Sequence, residues 1–155
     1  MGVLCDYFRA ADDTAVAKLM EATDGGPVIV HGDASAADGV DAKGIEPNVT
    51  LGKLVALILD VEWDTDISGG DLVWPPGDPG AGPWVQAIHT SARDALAGVD
   101  DARLPELAER WAAIEELAID DPEGIDILRD GMTRLVALAR RARAAGDQLY
   151  CWISL

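Results

Sequence analysis

An α+β fold is predicted: a small sheet that includes the N- and C-terminal strands, packed by about five helices. Three observations predict it. Short runs rich in apolar and aromatic residues open and close the chain, Val3 to Phe8 and Leu149 to Leu155, and such runs favour strands. Apolar residues at helical spacing recur through the last third. The 155 residues are 49% hydrophobic and 26% charged, a globular balance at a length that predicts one domain over 1–155 with a substantial core.

After the first strand, Asp12-Asp13-Thr14 offers N-cap chemistry for a helix to about Thr23, with Val16, Leu19, Met20 and Thr23 on one face. Asp24-Gly25-Gly26-Pro27 stops it. Val28 to His31 fits a strand, and Gly32 to Pro47 reads as a loop. Thr50 is the expected cap of a helix whose inner face carries Leu51, Leu54, Val55, Ile58 and Leu59, widened by Leu57. From Asp60 to Gly82, carboxylates and then Trp74-Pro75-Pro76-Gly77-Asp78-Pro79-Gly80 predict a long irregular stretch, the first place to look for a site.

Three helices should follow. The first begins near Pro83, with Val85, Ile88, Ala92 and Leu96 inward, and ends at Gly98. The second, capped by Asp100 or Asp101, carries Leu104, Leu107, Ala108, Trp111, Ile114 and Leu117. The third starts at Asp121-Pro122-Glu123, aspartate as cap and proline as first helical residue, and ends at Gly146. Arg140, Arg141 and Arg143 fall in its last turns, where cations meet the negative end of the dipole. The closing strand is apolar on both faces, as a central strand is.

Charge narrows the partners. Twelve Lys and Arg against 28 Asp and Glu give a formal net charge of -16, which repels a phosphate backbone and an anionic membrane while attracting a basic protein or a metal ion. No nucleic acid and no membrane partner is expected. The start of the chain has no basic n-region or long apolar stretch, and no apolar run approaches the roughly 20 residues that span a bilayer. A cytoplasmic location follows as an expectation. Cys5 and Cys151 fit neither a zinc pair nor a redox motif and are expected to be buried thiols, close together if the terminal strands are neighbours.

Candidate chemistry gathers in the middle. Aligned to a calcium-binding EF-hand loop, the segment from Asp60 puts oxygen ligands at positions 1, 3, 5, 7, 9 and 12: Asp60, Glu62, Asp64, Asp66, Ser68 and Asp71. Thr65 stands where the turn wants glycine, and Leu72-Val73-Trp74-Pro75-Pro76 cannot form the exit helix. Calcium is therefore one possible ligand and a solvated acidic loop the alternative. Trp63, Trp74 and Trp84 flank or lie in this stretch. They serve either as interface anchors beside acidic groups, selecting a cationic partner, or as a lid folded back on the core. His89, at the edge of an apolar stripe, and His31 lack a partner pattern. Three functions compete: a binding module for a cationic protein, as a toxin-neutralising immunity protein is; a small metal-assisted hydrolase using Asp60, Asp64, Asp66 and His89; and a calcium-binding loop protein, with calcium sensing or calcium-dependent stability through the same acidic loop.

The two ends carry a resemblance. Met1-Gly2-Val3-Leu4-Cys5-Asp6-Tyr7 with the helix bearing Leu19, and the closing Leu135 to Ala142, Ala145-Gly146-Asp147-Gln148-Leu149 and terminal strand, resemble the YfbM-like family of uncharacterised bacterial proteins. The family's central aspartate-lysine-tryptophan motif is represented here only by Asp41-Ala42-Lys43. The resemblance implies a compact α+β domain with its first and last strands in one sheet, and brings no established activity.

Overall fold

The computed structural model describes residues 2–30 and 35–155. Five strands form one antiparallel sheet: β1 (Leu4–Ala10), β2 (Gly39–Asp41), β3 (Gly69–Trp74), β4 (Trp84–Ile88) and β5 (Gln148–Ser154), in the order β2-β1-β5-β4-β3. Five α-helices join them: α1 (Asp13–Ala22), α2 (Thr50–Leu59), α3 (Thr90–Ala97), α4 (Leu104–Ala112) and α5 (Pro122–Ala145). The α+β class holds, with the terminal strands paired to each other from Leu4 opposite Ser154 to Ala10 opposite Gln148.

The sheet has helices on both faces, and strand alternation sorts the core into two parts. Cys5, Tyr7, Leu149, Cys151 and Ile88 point toward α2 to α5 and join the larger core with Trp111, Met132 and Leu138. Phe8, Tyr150, Trp152 and Val85 point the other way, onto Val16 and Met20 of α1 and onto Val28. Because β5 has a neighbour on each edge and helices on each face, four consecutive residues, Leu149 to Trp152, are buried.

Helix ends follow local chemistry. Asp12 accepts from Ala15 N–H and Asp121 from Gly124 N–H, each satisfying an orphan donor. Pro122 occupies the first turn of α5, and Gly146 closes it in the left-handed region at φ 72°. Gly26, at φ 92°, is required for packing: a Cβ there would lie 2.3 Å from the indole nitrogen of Trp152, which donates to Gly25 O.

Several elements differ from expectation. Val28 to Val30 forms no strand: the amides of Val28 and Ile29 bond the buried Asp6 carboxylate and that of Val30 bonds the Ser35 hydroxyl, instead of a neighbouring strand. His31 lies outside the described residues. The expected loop from Gly32 to Pro47 contains β2, and the expected irregular stretch from Asp60 to Gly82 contains β3, whose register shifts twice against β4. The helix expected from Pro83 is a strand from Trp84 to Ile88, with α3 starting only at Thr90. Val85 and Ile88 face opposite sides of the sheet, so their helix-like spacing is coincidental.

Thr50 does not cap α2. The Glu46 carboxylate does, accepting from the amides of Asn48, Val49 and Thr50. Leu59, expected inward, is 49% exposed. The helix α4 stops at Ala112, so Ile114 and Leu117 pack from the connection to α5. Arg140 donates to the carbonyls of Ala97, at the end of α3, and of Val99 just after it, and Arg141 pairs with Asp38, so these cations serve tertiary partners rather than only their own helix dipole.

Candidate functional site

The acidic connection begins where α2 ends. Asp60 takes a left-handed conformation, φ 55°, and Asp60, Glu62, Asp64, Asp66 and Asp71 are all exposed. The chain then turns back along α2: Trp63 donates its indole N–H to Asn48 O at 2.9 Å, and its ring lies 5.7 Å from the Lys53 ammonium. Asp64 accepts from Asp66 N–H at 2.8 Å, a tight local turn.

This path does not assemble the EF-hand geometry. Ser68, the ninth position, is buried and donates to Pro47 O. Asp71 sits on β3, and Leu72 to Trp74 continue that strand where an exit helix would begin. Among the described residues, no group of three or more His, Cys, Asp or Glu is placed to hold a metal ion. His89 is at the N-terminal boundary of α3, its N–H bonded to Ser68 O at 2.8 Å and its ring beside Gly70. It forms no such group with Asp60, Asp64 and Asp66.

The three tryptophans do not form one patch. Trp63 lies against Gly52 of α2, where a Cβ would come within 2.7 Å of its nitrogen. Trp74 packs on the opposite core, with α1 and Val28. Trp84 folds over Gly82 and donates to Pro79 O at 3.1 Å. Each of the three tryptophans is half-buried and packs at its own place on the fold.

A concavity that the sequence did not announce lies between α5, the α4–α5 connection and the segment after β2. Its volume is about 330 Å³, and its floor is apolar: Trp111, Leu117, Ile119, Leu128, Met132 and Leu135. Asp41, Lys43 and Arg134 stand among its walls, with Gly131 opening onto it from the middle of α5. A second hollow of about 320 Å³ along β2 shares Asp41 and Arg134 with the first. Gly131 offers a signal: a glycine in the interior of a 24-residue helix, where it costs about 1 kcal/mol relative to alanine.

Paired charges elsewhere are structural. Asp38 receives Arg141 and Arg9, and Arg9 also reaches Asp147, tying β1, the segment before β2 and the end of α5 together. Arg141 first, and then Arg9, hold the Asp38 carboxyl below the usual range. Cys5 and Cys151 are free and buried, and burial followed by the neighbouring Cys5 pushes the Cys151 thiol up. No helix among the described residues is long and apolar enough to cross a membrane. Comparison with protein-family models, with curated proteins and with solved structures returned no match.

Proposed function

We propose that this chain is a cytoplasmic, non-catalytic binding protein whose acidic surface engages a cationic protein, in the manner of an immunity protein. The observation that carries the proposal is the run of exposed carboxylates from Asp60 to Asp71, which have no ion pair among the described residues. Five of the molecule's cations are used differently: Arg9, Lys53, Arg93, Arg140 and Arg141 pair with its own carboxylates. The carboxylates of this connection are therefore free to meet a partner, where they accelerate encounter and reject acidic surfaces. Leu59 at the end of α2, Val61 on the connection and Leu72 on β3, each about half exposed, add apolar area nearby in the chain. Kinship with the YfbM-like family belongs to the same proposal; the resemblance implies first and last strands in one sheet, the arrangement of β1 and β5.

Capture from a bacterial lysate at low salt and at 0.3 M salt tests this reading. Proteins of high isoelectric point should be retained at low salt and released at high salt. Retention of acidic or neutral proteins, or of none, would remove it.

A further inference from the structure

We infer that the pocket beneath α5 is a binding site for a small amphipathic carboxylate, such as a medium-chain or aryl-alkyl acid. Its size and lining come first. A cavity of about 330 Å³ is at the lower end of small-molecule sites, which are apolar with a few polar groups at defined places. Here the floor is Trp111, Met132, Leu135 and their neighbours, and the charged side chains are confined to Asp41, Lys43 and Arg134.

Second, the pocket is held open by an absent side chain. A Cβ on Gly131 would meet nothing within 4 Å, so no close packing requires glycine there, although alanine would favour the helix. Gly124, on the same helix, differs: its Cβ would strike Ile119 at 2.6 Å, so packing accounts for it. The residue one turn before Gly131 is Ile127, 67% exposed and also part of the pocket. An apolar surface therefore continues from the floor to the mouth.

Third, the charges at the walls run against those of the molecule. In a chain with 28 acidic residues and 12 basic ones, this pocket has two cations and one carboxylate. Lys43 forms no ion pair among the described residues, and Arg134 meets only Asp130 of its own helix, at 3.3 Å with both side chains largely in water. Such a surface pair is weak, so both cations remain available to an anionic head group while the tail occupies the pocket. Asp41 opposes the head group and limits its affinity.

The test uses the whole chain titrated with octanoate, hexanoate, octanol and octylamine, followed by amide NMR shifts and thermal unfolding. Octanoate should bind saturably, with shifts centred on Ile127, Gly131 and Lys43. At about ten times its dissociation constant it should raise the midpoint by about 4 °C. Each methylene should be worth about fourfold in affinity, so hexanoate binds roughly fifteenfold more weakly. Gly131→Leu, which fills the pocket, should abolish binding. Gly131→Ala, which suits the helix, should weaken binding with an undiminished melting midpoint, separating occupancy from folding. Lys43→Gln and Arg134→Gln should each weaken octanoate several-fold, and Asp41→Asn should tighten it. Absence of saturable binding by any probe would overturn the site. Equal binding of acid, alcohol and amine, unmoved by the Lys43 and Arg134 variants, would overturn the carboxylate assignment.

Discussion

Replacing Asp6 separates the value of a buried acceptor from the cost of a buried charge. Asp6 is 5% exposed on β1 and receives the amides of Ile29 at 3.0 Å and Val28 at 3.2 Å. Burial raises its pKa, the two amides oppose that, and Asp41 across the β1–β2 pair adds to it. Asp6→Ala leaves two N–H groups without acceptors, each costing about 1–3 kcal/mol, partly offset by relief of the desolvated charge. A net loss of about 2–4 kcal/mol is expected, or roughly 6–12 °C in melting midpoint for a chain of this size. Asp6→Asn keeps an acceptor oxygen and should stay within about 1 kcal/mol of the parent. The sign of the pH dependence is also fixed. Because the folded pKa is raised, the native state binds more protons than the unfolded state between the two values. Stability of the parent relative to Asp6→Asn therefore falls as pH rises from about 4 through the raised folded pKa. Urea unfolding of the three proteins from pH 4 to 8 measures both effects. Equal stability of the Ala and Asn variants would refute the argument.

Three further outcomes follow from the same structure. Asp38→Asn should flatten acid denaturation below about pH 4, because the Asp38 carboxyl is depressed by Arg141 and Arg9, and its stabilisation is lost as pH falls through the folded pKa. The effect should be below about 1 kcal/mol because these groups are partly in water, and acid titration followed by circular dichroism reads it. Glu46→Ala should destabilise by about 1–2 kcal/mol as a lost cap, whereas Thr50→Val should cost less, measured by urea midpoints. Neither cysteine should react with Ellman's reagent in the native protein at pH 8, and both should react in denaturant, since both are fully buried and the Cys151 thiol is pushed up.

The elements legible in the sequence were those with redundant signals. The helix α5 carried a capping aspartate, a first-turn proline, an apolar stripe and a terminal glycine, and β5 an apolar run with Tyr150 and Trp152 at its centre. The strand β4 was misread because a strand buried on both faces loses its alternation, leaving Val85 and Ile88 at a spacing that helices share. The strand β2, three residues long, is too short to register a period. The strand β3 contains two glycines and two register shifts, which hide its pairing. Cap chemistry failed at α2 because the capping side chain comes from Glu46, four residues before Thr50.

At the candidate site, residue types were legible and their disposition was not. The carboxylates from Asp60 to Asp71 are exposed, as a solvated acidic loop requires, but burial of Ser68 and the return of Trp63 onto Asn48 break the calcium-loop spacing. Opposite faces of the sheet separate Trp63 from Trp74, a division that linear proximity conceals. The pocket beneath α5 joins Asp41 to Arg134, more than half the chain away, and no local pattern encodes that meeting.

Two variants with equal charge changes test the binding proposal most directly. One carries amides at Asp60, Glu62, Asp64, Asp66 and Asp71, and the other at Glu109, Glu115, Asp120, Glu123 and Asp126, also exposed. Each should stay folded, since amides retain the size of the carboxylates they replace. Binding of a captured basic protein should weaken by at least tenfold in the first variant and by far less in the second, measured by titration calorimetry at low salt. Equal weakening in both would show that net charge alone acts, contradicting a binding surface at the Asp60 to Asp71 connection.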